Sequence, residues 1–252
     1  MNPADQYLYS IIATKKSPPI TLDDWRLANI KAVILKWGGS QISELKQSGS
    51  SAKGTALKGV ADVDIFISLK SDTTQTLKEL FNLLDTHIKQ AGIATRRQDV
   101  SIRVTQYDLN IDLTPGKKQS GYQNYHSIYS SKRDTWLQTN IDLHVTMVKN
   151  SGRQNEIILT KIWRQNHGLS FPSIYLELIV LDALKNKTIG DLANNFYAVL
   201  TFLRDSFVPK TVIDPANTNN IISETLYLSE KQLIAGKAKE ALLKSTWREI
   251  IW

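Results

Sequence analysis

No cysteine occurs among the 252 residues, so neither a disulfide framework nor a thiolate metal site is available to this chain. No run approaches the ~18 consecutive apolar residues that a membrane-spanning helix needs. Met1-Asn2-Pro3-Ala4-Asp5 lacks the basic start and apolar stretch of a secretory signal. A cytoplasmic location with no membrane association is therefore the expectation. Blocks of five or more basic residues are also missing, although 31 Lys and Arg outweigh 24 Asp and Glu, for a net charge of +7. That dispersed excess attracts phosphate-bearing ligands, nucleotides and nucleic acid alike, without naming one. No internal repeat, low-complexity tract or linker is present. The four histidines (His87, His126, His144 and His167) include no H-x-x-x-H pair, which argues against a histidine zinc site and leaves them as expected surface or capping residues. What remains, 42% hydrophobic and 22% charged, is an ordinary globular composition, long enough for one large domain or two packed lobes.

The most informative stretch is Gly49-Ser50-Ser51-Ala52-Lys53-Gly54-Thr55, followed by Asp62-Val63-Asp64-Ile65-Phe66-Ile67. In a strand, residues i and i+2 share a face. Asp62 and Asp64 then project together while Val63, Ile65 and Ile67 pack on the other side. Two carboxylates held that close repel unless a proton or cation lies between them, and a hard, oxygen-seeking ion such as Mg²⁺ suits them. Asp112 offers a third carboxylate, bracketed by Ile111 and Leu113 and closed by Thr114-Pro115. It is preferred over Asp108, four residues earlier and at the same strand parity. Three aspartates from two adjacent strands could hold two cations about 3.5–4 Å apart. Two competing phosphate motifs fail. Gly49 to Gly54 mimics a P-loop, but Thr55 stands where the lysine belongs. Ser50-x-x-Lys53 fits a serine-hydrolase pattern without its S-D-N or K-T-G companions.

Periodicity places these motifs on elements. Thr21 and Asp24 form a helix start, and Leu27, Ile30, Val33, Ile34 and Trp37 continue it at helical spacing as far as the Gly38-Gly39-Ser40 bend. A strand is expected at 62–69, an amphipathic helix at 75–91, and strands at 100–107 and 109–113, the last ending at Thr114-Pro115-Gly116. From about residue 130 the pattern turns helical, at 140–150, 153–167, 173–186, 189–206 and 229–249, with Ser229 and Gln232 as a capping box for the last. The fold class is α+β, a small mixed sheet with helices followed by a helical lobe.

Taken in order, Gly49-Ser50, Lys53-Gly54-Thr55, Asp62-x-Asp64 and Asp112-Leu113-Thr114-Pro115 resemble the polymerase-β-like nucleotidyltransferase superfamily. Archaeal CCA-adding enzymes, 2′-5′-oligoadenylate synthases and bacterial relatives of cyclic GMP-AMP synthase are similar in appearance. Downstream, Ile157 to Trp163 resembles that family's lysine-bearing helix, and Ser173-Ile174-Tyr175-Leu176-Glu177 its S-Y-x-L-E helix with the tyrosine one place later. Asp214-Pro215-Ala216-Asn217…Asn220 resembles a late turn expected to be structural. The resemblance implies residues 1–130 as a catalytic lobe with an N-terminal bridging helix, and 131–252 as a helical lobe completing a nucleotide-binding cleft. It implies Asp62, Asp64 and Asp112 as ligands of two Mg²⁺ ions (Mn²⁺ as a substitute), with Asp112 nearest the attacking hydroxyl. Gly49 and Ser50 would meet the phosphates, and Lys161 and Ser173 the triphosphate tail. Lys161 could instead be a solvated helix lysine, and Tyr175 either stacks on the base or is a core aromatic. The implied activity is template-independent transfer from NTPs or dNTPs, making short cyclic or linear oligonucleotide signals in bacterial anti-phage defence with an effector protein as partner. Addition of nucleotides to an RNA 3′ end or to a protein hydroxyl is the alternative.

Overall fold

The structure, a computed structural model, describes residues 1–59 and 62–252. They form two units, neither continuous in sequence. One comprises Met1–Ser17, Thr55–Gly59 and Met147–Trp252; the other comprises Pro18–Gly54 and the segment ending at Thr146. The division therefore lies later than the expected 130/131 boundary. The expected bridging helix at the start of the sheet lobe is α1 (Pro3–Lys15), which belongs to the helical unit.

The α+β unit begins with a 3-10 turn at Trp25–Leu27, where the Asp24 carboxylate accepts the Arg26 N–H. Helix α2 (Ala28–Gly38) follows directly from Leu27 with no side-chain cap of its own, and the cap of the preceding turn is Asp24 and not the expected Thr21. Next come β1 (Ile42–Ser48), the single-turn helix α3 (Gly49–Lys53), β2 (Val63–Leu69) and α4 (Leu77–Gln90). Thr76 and Glu79 close α4 with reciprocal bonds to each other's backbone N–H, satisfying two donors that the helix leaves open. The sheet is completed by β3 (Thr95–Arg97), β4 (Ile102–Gln106), β5 (Leu109–Lys118), β6 (His126–Ser130) and β7 (Thr135–Thr139). Its order is β1-β2-β5-β4-β3, with β6 pairing the far end of β5 and β7 pairing β6; β2 and β5 run parallel and the other neighbouring pairs antiparallel among the described residues.

Helices α2 and α4 bury Ile30, Ile34, Leu80, Phe81, Leu84 and Ile88 against Val63, Ile65, Ile67, Ile111 and Leu113 of β2 and β5. Each such side chain contributes roughly 1.5–3 kcal/mol. Strand β5 continues through Thr114-Pro115-Gly116 to Lys118 where an end was expected, since these residues still pair with β2 and Gly116 with β6. His126 corrects the surface expectation: it is buried, its Nε2 is 2.8 Å from Ser68 Oγ, and its ring meets Phe66 edge-on. Burial, first among the causes, pulls its pKa below the usual histidine value.

Helix α5 (Ile141–Lys149) starts at an Asn140 cap, whose side chain accepts the Leu143 N–H at 3.0 Å. The helical unit contains α6 (Gln154–Asn166), α7 (Ser173–Ala183), α8 (Leu192–Asp205), the hairpin β8 (Ile213–Asp214) and β9 (Asn217–Ile221), and α9 (Leu228–Leu242). Helix α9 thus starts a residue before the expected Ser229 cap, where Glu230 accepts the Tyr227 N–H at 2.8 Å. Trp163, Tyr175, Phe196 and Phe207 fill this core. Helix α1 is built in through Leu8 and Ile12 and through Asp5, whose carboxylate accepts the Ala193 N–H at the start of α8 at 2.8 Å. The late turn is structural, as expected: Asp214 accepts the Ala216 N–H at 2.9 Å and the Asn220 side-chain amide at 3.1 Å.

Candidate active site

The three aspartates converge because strand register brings them together. In the parallel β2–β5 pair, Asp64 stands directly opposite Asp112; in the antiparallel β4–β5 pair, Asp112 stands opposite Arg103. Laterally paired residues share a face. Asp64, Asp112 and Arg103 therefore form one row across three strands, with Asp62 at the entrance to β2 beside them. Asp108, the competitor for the third place, instead occupies the Tyr107-Asp108 turn with positive φ (47° and 61°).

Electrostatics mark Asp64 as the focus. Its pKa is raised to about 7, by burial first and then by the charges of Asp112 and Asp62, with Lys53 and Arg103 opposing. A carboxyl group placed so holds a proton near neutrality unless a cation replaces it. The donor set, three hard oxygen-bearing side chains with excess negative charge, fits a divalent ion of the Mg²⁺ type.

As the side chains stand, however, no group of three acidic or histidine residues among the described residues is disposed to hold an ion. Arg103 is the physical reason. Its Nε and Nη2 donate to the two oxygens of Asp112 at 2.9 and 2.8 Å, and Nη2 also donates to Asp62. Gln98 adds a third N–H to Asp112 at 3.1 Å. Of the three carboxylates expected at the metal site, an arginine thus ties two.

Gly49 opens α3 at φ +64°, a conformation that side chains of L-residues rarely adopt. A Cβ built there would lie 1.7 Å from Asp64 Oδ2, so the glycine is required twice, by backbone and by space. Ser50 follows it, half-buried, in the same turn. Gly49→Ala is expected to lower turnover by roughly 100-fold and to cost about 1–3 kcal/mol of stability, because Asp64 must move and the backbone is strained. Steady-state kinetics and thermal melting check this; parent-like values in both would show that Asp64 tolerates displacement.

The other expected site residues, Lys161, Ser173 and Tyr175, belong to the helical unit. Lys161 is only 3% exposed; its Nζ donates to Thr55 Oγ1 at 2.9 Å and to Glu177 Oε1 at 2.8 Å. It is not the solvated helix lysine of the alternative reading, and its ammonium is engaged by protein groups. Tyr175 is fully buried between Phe171 and Phe207, with ring centroids 5.3 and 5.2 Å away. It presents no face to a base and is a core aromatic, which corrects the stacking assignment. Burial accordingly pushes its phenol pKa up to about 12. Ser173 opens α7 on the surface, its Oγ accepting from Arg164 Nη1 at 3.2 Å.

Sequence reading missed Arg103. The alternation Ile102-Arg103-Val104 could have placed Arg103 on the polar face of a strand, but nothing in it names Asp112 as its partner.

The mixed sheet thus carries a row of carboxylates, entered by a glycine turn that abuts one of them. Residues 31–119 match the nucleotidyltransferase domain family. Over 273 aligned positions the chain is 26% identical to the cyclic AMP-AMP-AMP synthase of Escherichia coli (strain MS 115-1), covering 89% of this chain and 84% of that protein. Among solved structures, E. coli MS115-1 CdnC in complex with HORMA-deltaN aligns with a TM-score of 0.77 at 20% identity, covering 95% of this chain and 89% of that one. Elizabethkingia meningoseptica CdnE cyclic dinucleotide synthase, bound to GTP and Apcpp, aligns at 0.71 and 14% identity over 96% and 100%. Both likenesses establish the fold.

Proposed function

We propose that this nucleotidyltransferase joins nucleoside triphosphates, without a template, into a short cyclic or linear oligonucleotide that serves as an anti-phage signal. The observation that carries the reading is Asp64: half-buried, crowded by Asp112 and Asp62, and abutting the Gly49 turn. This is a cation-seeking centre placed against backbone suited to phosphates. The synthase relative, named for a cyclic trinucleotide, supports the choice of product. In the reaction a hydroxyl oxygen bonds to the α-phosphorus of an NTP, the bond from that phosphorus to the bridging oxygen breaks, and pyrophosphate leaves. Asp112, nearest the hydroxyl, takes its proton. Gly49 admits the phosphates close to the chain, and Ser50 donates to them. Asp62, Asp64 and Asp112 would hold two divalent ions, Mg²⁺ or Mn²⁺, whose positive charge stabilises the attacking and leaving oxygens. Ser173, with Arg164 beside it, is assigned to the triphosphate tail. Most of the acceleration then comes from positioning and fixed charge. A protein partner belongs to the reading as well, since the CdnC relative is solved in complex with HORMA-deltaN.

The test is incubation of purified protein with Mg²⁺ or Mn²⁺ and each labelled NTP and dNTP. Phosphatase-resistant product identifies a cycle, and a phosphatase-sensitive ladder identifies linear oligomers; either supports the proposal. Label found only on added RNA or on protein would replace it with nucleotide addition to those acceptors. Absence of pyrophosphate under every condition would overturn it.

A further inference from the structure

Arg103 has no task in the reaction as proposed, yet it makes the densest set of contacts at the site. Its Nε and Nη2 fork onto both oxygens of Asp112, and Nη2 also reaches Asp62. Asp112 Oδ1 accepts in addition from Gln98 Nε2, which Ser101 Oγ steadies through Gln98 Oε1 at 3.1 Å. These are the oxygens that a divalent ion would require. Paired fork contacts of this kind are the strong form of charge-assisted hydrogen bond, and Asp112 and Asp62 together hold the guanidinium's pKa above its usual value.

Two features suit Arg103 to exchange. Its side chain keeps 22% of its surface exposed, so it can swing away without disturbing the strand. Arg96 of β3 stands directly opposite it on the side away from Asp112. Like charges facing each other across a sheet are unfavourable. Arg103 is therefore biased toward the aspartates until some other cation neutralises them and an anion, such as a nucleotide phosphate, reaches the two arginines.

We propose that Arg103 is a built-in competitor of divalent cations for Asp62 and Asp112, making ion binding weak until a nucleotide arrives. The inference rests on the two-metal reading of Asp62, Asp64 and Asp112, and regulates that same site. Its test is Mn²⁺ binding to nucleotide-free protein, measured by calorimetry or by the free-ion paramagnetic signal, for the parent, Arg103→Gln, Arg103→Lys and Asp64→Asn. Arg103→Gln is expected to bind Mn²⁺ roughly tenfold more tightly than the parent, with Arg103→Lys, which keeps the charge and loses the fork, in between. With a non-hydrolysable NTP analogue present, the three affinities should draw together. Equal or weaker Mn²⁺ binding by both arginine variants would overturn the proposal while leaving the metal site standing, provided that Asp64→Asn abolishes the parent's binding. Tightening that survives when Asp64→Asn is added puts the ion elsewhere and overturns both. If Arg103→Gln melts below the assay temperature, Arg103→Lys carries the comparison alone.

Discussion

Asp64→Asn is expected to reduce nucleotidyl transfer by roughly 10³-fold or more while the protein stays folded. The substitution is nearly isosteric, so the Gly49 turn that lies against this side chain keeps its shape. What goes is the charge that a bound cation needs, together with the electrostatic strain of three carboxylates in one place. That strain gives a second readout. The folded-state pKa of Asp64 is about 7 against an ordinary 3.8, so the folded form binds this proton more tightly than the unfolded chain does. Stability from that proton is full below about pH 4 and is lost as pH rises through about 7. In EDTA, the parent should therefore melt lower at pH 8 than at pH 6, and Asp64→Asn should flatten that difference. Pyrophosphate release with Mg²⁺ and melting curves at the two pH values check both statements. Wild-type turnover in the variant would remove Asp64 from the site, whatever the melting curves show.

Glu177→Ala is expected to have the largest effect on stability, about 3–5 kcal/mol, because it leaves the Lys161 ammonium buried without its carboxylate. The side chains of the pair are 3% and 1% exposed and meet at 2.8 Å, so solvent cannot substitute for either partner. For a chain of this size that corresponds to a fall in melting temperature on the order of 10 °C. The double variant Lys161→Met, Glu177→Leu should recover much of the loss, since a buried ion pair is often replaceable by apolar residues of similar volume. It also decides what Lys161 does. If Lys161 only anchors Thr55 and Glu177, turnover in the double variant returns with stability. If its ammonium also serves the triphosphate, KM for NTP stays raised in a protein that melts normally. A single Glu177→Ala variant as stable as the parent would mean that the buried pair contributes nothing net.

Legibility of the fold followed the range of the interactions behind each element. Helix α4 was visible because Leu77, Leu80, Phe81, Leu84 and Ile88 repeat at a spacing set by the helix itself. Strand β2 was visible for the same reason at a period of two. Helix α1 was not expected as part of the helical unit, since its place depends on Asp5 reaching Ala193, 188 residues away. Strand β1 was missed because Ser43-Glu44-Leu45-Lys46-Gln47 has little apolar alternation; pairing with the buried β2 imposes its conformation. The end assigned to β5 at Pro115 failed because a proline costs a strand only the bond its N–H would have made.

The candidate site divides along the same line. The amino-acid sequence by itself determined which residues carry the negative charge: the i, i+2 spacing of Asp62 and Asp64 and the apolar neighbours of Asp112 are local facts, independent of any partner. Tertiary structure alone decided what those charges face. Arg103 meets Asp62 across 41 residues of chain, and Lys161 meets Thr55 across 106. The contact that makes Gly49 indispensable is with an Asp64 side chain on the next strand. Such pairings are set by strand register and core packing, which arise when distant segments bury one another's apolar faces; no local spacing of residues encodes them.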